Sequence, residues 1–442
     1  MDDSKESYPG QIRLTLTGNR VPQEKVIHIP NLKKDRLGTF DFISWWERPK
    51  VQSAKVMVVG AGALGNEVLK NLALMGVGNI FVTDFDRIEA ANLSRSVLFR
   101  EEDNGKRKAE VAARAIKELN PNINVQFFHG DINNEFGLGI YRRMDVVIGC
   151  LDNREARLSV NKACYRVNKP WVDGAIQELL GLVRVFVPGK GACFDCTLNE
   201  IARQEMEARA SCSILAKKNI LSGKVPTTPT ISSIIGAIQA QEALKLIHKD
   251  NERLQVQPGK MIHFNGFTND MFISAYNENE DCESHWMYEE IIERKDVKAA
   301  VTTLSEILEI ARSYAGADAE LQLDTELILT FECDNCGTKT PVAKSWSVIT
   351  PEEIRCPDCG MERQPELAHY ITDTEEFLKN ALSANFLSKT LQDIGIPPLH
   401  IVYARGSGGE AFLELTGDLE TTLHFSDFAD DPEVGDTRCQ VL

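Results

Sequence analysis

A chain of 442 residues, 43% apolar and 26% charged, has an ordinary globular balance that excludes wholesale disorder. At roughly 150 residues per domain it has room for about three domains. With 49 Lys and Arg against 65 Asp and Glu the formal net charge is −16, which argues against nucleic-acid or anionic-membrane binding, and no apolar run reaches the roughly 18–20 residues of a spanning helix.

The first residues, MDDSKESYPG, are acidic and polar, unlike a signal peptide. Short strands are predicted at 11–18 and 25–29. Phe40, Ile43, Trp45 and Trp46 supply the apolar stripe of a helix over 40–50. A buried strand, KVMVVG (55–60), then runs into Gly60-Ala-Gly62-Ala-Leu-Gly65 and a helical pattern, and the next strand ends in Asp84 and Asp86. This is a βαβ unit with a glycine-rich first turn and an acidic end to its second strand. The unit repeats: helix KAEVAARAIKELN, strand NVQFFHG, a strand ending at Asp152, helix ARLSVNKACYRVN, strand WVDGAI and an antiparallel GLVRVFVPG. The alternation predicts an open α/β sheet with helices on both faces. A polar stretch (197–230), a long helix (231–248) and a hairpin in MIHFNGFTNDMFISAY follow. Beyond 300 the texture changes to an α+β mixture with helices at 303–315 and 375–392, then an acidic, loose tail from 426.

There are eleven cysteines. Cys333/Cys336 and Cys356/Cys359 are two C-x-x-C pairs with 19 residues between them, the spacing of a zinc ribbon. A redox or disulfide pair is disfavoured, since Asn335, Gly337, Pro357 and Gly360 suit tight knuckle turns and nothing marks export. Cys193/Cys196 needs two further ligands, and Cys282-Glu-Ser-His285 offers a C-x-x-H. Cys150 and Cys164 read as core thiols. Cys212 and Cys439 are left over, and in a reducing cytoplasm, the expected location, a free thiol is inert or a nucleophile.

A lone G-x-G-x-x-G lets backbone approach phosphate at a helix N-terminus, and serves NAD, FAD or ATP alike. By itself it favours an oxidoreductase. The next residues change that. Arg95, Lys106 and Lys108 fall on predicted loops beside the cradle. Cations there suit a triphosphate attacked at its α-phosphorus, because charge grows on the departing pyrophosphate. Asp152, at a strand's carboxyl end, can hold Mg2+ beside the phosphates. Each charge alone reads equally as a solvated surface residue; the ordered set does not.

The series VVGAGALGNEVLKNLALMGVGNI, DFDRIEAANLSRSVLF, GKRKAEVAA and CLDN is similar to the adenylation domain of ubiquitin-activating enzymes and of the ThiF/MoeB adenylyltransferases, over residues 36–250. The resemblance implies a Rossmann-like domain in which Gly60, Gly62 and Gly65 cradle ATP and Asp84 and Asp86 bind its ribose and adenine side. It implies that Asn92, Arg95 and Lys108 contact the phosphates, that Asp152 supports Mg2+, and that Arg36 reaches into a partner protomer's site. Ser96 departs from the family's Gln, which puts a substrate-facing contact in doubt. The family's zinc site maps to Cys193, Cys196, Cys282 and His285, with one Cys replaced by His. Cys212, in Ala-Ser-Cys-Ser-Ile-Leu, resembles the family's thioester-forming Cys-Thr-Ile, with Lys217 and Lys218 near to lower its pKa. The eukaryotic enzymes insert a large helical domain here; this chain has a short segment, as in compact bacterial relatives. Residues 303–316 and 374–417 resemble the ubiquitin-fold domain that recruits a conjugating enzyme.

The resulting expectation is an extension (1–35), a ThiF-type adenylation domain (36–290) with a catalytic-cysteine loop (200–230), a ubiquitin-fold-like domain (300–425) carrying an inserted zinc ribbon (331–361), and a flexible acidic tail (426–442). The leading function is ATP-dependent activation of a ubiquitin-like protein: adenylation of its C-terminal glycine, a thioester on Cys212 and transfer to a conjugating enzyme. Alternatives are a sulfur-carrier-protein adenylyltransferase, a non-catalytic modifier-binding scaffold and, distantly, a Rossmann oxidoreductase. All adenylation residues lie in one chain, so a homodimer is expected, with ATP, Mg2+ and two Zn2+ sites.

Overall fold

Strand β1 (Lys55–Val59) carries four consecutive buried residues, Val56 to Val59. Successive side chains point to opposite faces, so both faces of the sheet are covered there. β1 pairs in parallel with β2 (Asn79–Thr83), whose outer neighbour is β3 (Asn124–Phe128). Its other edge pairs in parallel with β4 (Val146–Gly149), next to β5 (Trp171–Gln177). The order β3-β2-β1-β4-β5 reverses direction at β1, so a crevice opens beyond the carboxyl ends of β1 and β4. Helices Ala63–Met75, Lys108–Leu119 and Arg154–Arg166 make the crossovers. Antiparallel strands β6 (Leu180–Phe186), β7 (Lys260–Asn265) and β8 (Asp270–Ala275) extend the sheet, with the expected hairpin at β7–β8. Helix Pro229–Ile247 packs on helix Ala63–Met75 and on β4 to β6. The computed structural model describes residues 35–204, 226–383, 385–424 and 439–441; Cys212, Lys217, Lys218 and the strands expected at 11–18 and 25–29 lie outside them.

A second sheet contains β9 (Ile291–Glu293), β10 (Glu320–Glu332), β11 (Lys339–Ser345), β12 (Gln364–Ile371), β13 (Ile401–Gly406) and β14 (Gly409–Glu414). β9 runs parallel to β14 and the other pairs are antiparallel. β10 serves two neighbourhoods: Glu320–Gln322 pairs with β13, and Leu327–Glu332 lies between β11 and β12. Helix Leu304–Ala315, started by a Thr303/Glu306 capping box, packs on β13 and β14.

The described residues fall into two compact units, one ending at Pro49 and the other beginning at Lys50. Within the larger unit one apolar cluster joins the sheets, running from Met57, Phe81 and Trp171 to Leu399, Ile401 and Phe412. Ion pairs cross the same junction. Arg166 meets Asp324 at 2.6 Å, Arg142 meets Glu293 at 2.8 Å, and Arg142 and Arg143 both bind the fully buried Glu414. Desolvation would raise the Asp324 carboxyl, but the His400 hydrogen bond and the Arg166 charge hold it down at about 2. Among the described residues no helix is long and apolar enough to cross a membrane.

Four local expectations are corrected. In place of a helix over 40–50 there is a 3-10 turn at Phe40–Phe42 and a helix from Arg48 to Ser53, where Pro49 suits the first turn. The helix expected over 375–392 stops at Asn380; Leu382 adopts a left-handed φ of 48°, and Phe386 turns into the core. Lys108 is not on a loop but opens the helix Lys108–Leu119. At the end of the tail, Cys439–Val441 forms strand β15, antiparallel to β3, which supplies the exposed sheet edge with a partner.

The glycines at the first turn differ in kind. A Cβ on Gly65 would lie 1.9 Å from the Gly60 carbonyl oxygen, whereas one on Gly62 meets nothing within 4 Å. Gly65→Ala is expected to destabilise the protein by more than about 2 kcal/mol and Gly62→Ala by less than about 1 kcal/mol, as read from urea unfolding.

Candidate functional site

The crevice begins where β1 ends. Gly60 has φ +96°, and a Cβ there would sit 2.4 Å from the Cys150 carbonyl oxygen at the end of β4. That contact forces glycine, and the Gly65 contact lets the helix Ala63–Met75 start against the strand. The amides of that helix's first turn have no intrahelical acceptor and lie beside the open backbone of Gly62, a ready anion cradle.

Asp84, beyond β2, borders the cradle. Its Oδ2 accepts the Ala61 N–H at 2.7 Å and its Oδ1 accepts the Asp86 N–H at 2.7 Å. Burial pushes its carboxyl up to about 6, against the pull of Lys108 and these two amides. The Lys108 amine lies 2.6 Å from Asp86 Oδ2. Gly60, Gly62, Gly65, Asp84, Asp86 and Lys108 are thus brought together, with Lys108 resting on a carboxylate.

Arg95 is half-buried and donates to the Ala91 carbonyl at 2.8 Å. Asn92 is buried and accepts the Glu89 N–H at 2.9 Å, which closes the turn before Arg95. Lys106 pairs with Asp103 at 2.9 Å. Asp152 is exposed, two residues past Cys150, and accepts a 3.2 Å hydrogen bond from Asn153. The buried Ser96 hydroxyl has no hydrogen-bond partner among the described residues. Arg36 is exposed and belongs to the smaller unit.

The motif reading missed the buried polar residues that hold this loop. Asn66 donates to the Ala61 and Gly62 carbonyls at 2.7 and 3.0 Å and accepts the Leu98 N–H at 2.8 Å, tying the glycine turn to the segment after Arg95. Gln239 donates to the Gly149 carbonyl at 2.9 Å. Their only signal in the sequence is a polar residue inside an otherwise apolar helical pattern.

Both cysteine quartets assemble. Cys193 Sγ lies 3.7 Å from Cys196 Sγ and from Cys282 Sγ, and Cys196 Sγ lies 3.4 Å from His285 Nε2. A tetrahedral zinc with Zn–S of about 2.3 Å sets ligand edges of about 3.8 Å, so this donor set fits. His285 turns Nδ1 towards Glu278 at 3.7 Å, the arrangement that leaves Nε2 free to ligate, and its ring stacks on Tyr165. Burial pushes the Cys193 and Cys282 thiols up, so their ionisation calls for a cation. The second quartet caps β10 and β12. Cys333–Cys359 and Cys336–Cys356 are each 3.5 Å apart, and Cys336 and Cys359 are exposed. In each quartet all four ligand atoms lie within 4.8 Å of one another.

Residues 35–284 match the model of the ThiF family. The chain is 39% identical to SUMO-activating enzyme subunit 2 of Dictyostelium discoideum over 156 residues, 35% of this chain and 24% of that protein. It is 31% identical to SAMP-activating enzyme E1 of Haloferax volcanii over 233 residues, 53% of this chain and 80% of that protein. It is 35% identical to the sulfur carrier protein adenylyltransferase of Thermus thermophilus over 203 residues, 45% of this chain and 70% of that one. The chain spans only 24% to 55% of the length of several curated relatives that it matches. A crystal structure of E. coli MccB with ATP superposes with a TM-score of 0.48 at 25% identity, covering 58% of this chain and 75% of that one. With the family model spanning more than half of its length, the chain belongs to the ThiF family.

Proposed function

We propose that the chain is an ATP-dependent adenylyltransferase that activates the C-terminal carboxylate of a ubiquitin-like protein. The observation that carries this reading is the glycine turn, open at Gly62 and bounded by Asp84, Asp86 and Lys108. A carboxylate oxygen of the modifier's terminal glycine attacks the α-phosphorus of ATP, the bond to the β-phosphate oxygen breaks, and pyrophosphate leaves. Arg95 and Lys108 stabilise the charge that grows on it. Lys108 then has to exchange its Asp86 contact for phosphate, a short swing for a long side chain. Asp84 and Asp86 accept from ribose hydroxyls. Asp152 would hold Mg2+, which neutralises phosphate charge when bound.

In the second step the Cys212 thiolate attacks the acyl carbon, the bond to AMP breaks, and a thioester remains for transfer to a conjugating enzyme. The mixed acyl-phosphate supplies the driving force for that exchange. The exposed Met271 and Ile273, which share one face of β8 in the β7–β8 hairpin, give the modifier an apolar face to dock on. The second sheet is proposed as the ubiquitin-fold-like domain that receives the conjugating enzyme, and Arg36 as a residue offered across a homodimer. The likeness to sulfur carrier protein adenylyltransferase supports a second reading, in which the reaction stops at the acyl-adenylate.

Pyrophosphate exchange that requires a glycine-ended ubiquitin-like protein is the deciding assay. Arg95→Ala and Asp152→Ala are expected to lower it at least about 10²-fold without unfolding the protein; near-normal exchange in either removes the phosphate-site assignment. A thiol-sensitive adduct lost in Cys212→Ala and kept in Cys439→Ala selects ubiquitin-type activation, whereas full exchange with no thiol-sensitive adduct in the wild type selects the sulfur-carrier reading.

Asp84 adds a pH signature. Its folded pKa of about 6 exceeds the ordinary 3.8, so its contribution to stability is full below 3.8 and is lost as pH rises through about 6. Ribose binding needs the ionised form. The KM for ATP is expected to fall as pH rises from 5 to 7, with that step missing in Asp84→Asn beyond ATP's own titration. We also propose two zinc ions per chain. Elemental analysis is expected to give two equivalents, one in Cys282→Ser and one in Cys336→Ser; a full count in either variant contradicts that quartet.

A further inference from the structure

Asp173, on β5, has no solvent exposure, and its two carboxylate oxygens are divided between two arginines. Oδ2 accepts from Arg184 Nε at 3.0 Å and Oδ1 from Arg157 Nε at 2.9 Å. A buried carboxylate with two guanidinium partners fixes the position of both. Arg184 faces the first metal quartet: its guanidinium lies 4.9 Å over the ring of Phe194, between Cys193 and Cys196, and 3.4 Å from the Thr197 hydroxyl. Arg157 reaches the backbone after β4. With Nε held by Asp173, its Nη2 donates to the carbonyl of Leu151 and, at 3.2 Å, to that of Gly174.

Leu151 immediately precedes Asp152. On the other side Asn153 is held by its cap on the helix Arg154–Arg166, accepting the Ala156 N–H at 2.7 Å. The Asp152 side chain is exposed and, among the described residues, its hydrogen bond is with Asn153 alone, so its aim is set by the backbone on either side. Arg157 itself is 8% exposed, with its donors spent on Asp173 and on backbone carbonyls. It is not placed to touch substrate.

We propose that Arg157 is a positioning residue for Asp152, and that the Asp173–Arg184 pair anchors it to the Cys193/Cys196 knuckle. The inference rests on the adenylation reading, in which Asp152 supports the divalent cation. Lysine cannot reproduce the planar fork that spans Asp173 and the Leu151 carbonyl, yet it keeps a positive charge beside Asp173.

The test is Arg157→Lys beside the wild type and Asp152→Ala. Arg157→Lys is expected to keep a melting temperature near that of the wild type and an ATP KM within about twofold, while kcat for pyrophosphate exchange falls about 10²-fold. Mn2+ bound beside ATP, followed by electron paramagnetic resonance, is expected to lose affinity about tenfold, a readout independent of turnover. Wild-type kcat and Mn2+ affinity overturn the proposal. So does a lowered melting temperature with unchanged Mn2+ affinity, which assigns Arg157 to the fold alone. If Arg157→Lys does not fold, the same measurements on Asp173→Asn, which keeps the side chain's size and one acceptor, decide by the same criteria. Full exchange in Asp152→Ala removes the adenylation reading itself; an inactive Asp152→Ala beside an unaffected Arg157→Lys removes only the positioning role.

Discussion

Three stretches of backbone meet at the end of β1 with no room for a methyl group between them. The Gly60 carbonyl abuts Gly65, and the Cys150 carbonyl abuts Gly60. This contact lets β1, the helix after it and the end of β4 converge on one point. It aims the helix's unspent amides at the open side of Gly62. The polar groups around the crevice serve the same geometry: Asp84 holds the Ala61 amide, and Asn66 holds the Ala61 and Gly62 carbonyls. The chemistry of the crevice depends on a packing constraint that no charged residue supplies.

Behind that surface the larger unit places ionised groups where water is scarce. Asp173 and Glu414 have no exposure, and each is met by two arginines. Such pairs rarely add net stability over an apolar core, because desolvation offsets the attraction. Removing one partner costs far more, so they punish misplacement. The two clusters stand at two junctions, Asp173 between the crevice and the cysteine knuckle, Glu414 between the two sheets. Apolar packing at both junctions supplies the stabilisation, and the charges restrict it to one arrangement.

How much of this was legible in the sequence follows from the range of each interaction. KVMVVG and the glycines after it identified the first βαβ unit because strand burial, turn and helix start are local effects. The knuckles were legible because C-x-x-C spacing is local, and Cys282/His285 followed only through resemblance, their partners being 89 residues away. Asn66 and Arg157 were missed because their partners, main-chain groups for Asn66 and the Asp173 carboxylate with main-chain carbonyls for Arg157, are brought to them by the fold and leave no local sequence signature. The run 375–392 kept an apolar pattern while Leu382 took a conformation that ends a helix, a choice made by tertiary packing of Phe386. Lys108 was recognised as a site cation, but its contact with Asp86 belongs to the three-dimensional arrangement.

The knuckle bears on the proposed second step through geometry. Residues 205–225, which include Cys212, leave the described chain just after the Cys193/Cys196 turn and rejoin it at Pro226. Both points are fixed. Arg203 donates to the Asp195 carbonyl at 2.8 Å on one side, and on the other the Glu178 N–H donates to the Pro226 carbonyl at 2.8 Å while Thr227 bridges to Glu178. Chain of at most about 3.5 Å per residue gives the thiol of Cys212, eight residues past Gln204, a bounded reach from the first anchor. A quartet that ties the departure point to the end of the sheet therefore limits how far the proposed nucleophile can reach, and the same knuckle, through Phe194, Arg184 and Asp173, meets Arg157, which donates to the backbone before Asp152. One donor set thus constrains both the start of the segment bearing the proposed nucleophile and the backbone beside the proposed cation ligand, which is a physical reason for a cysteine–histidine knuckle at this place in the chain.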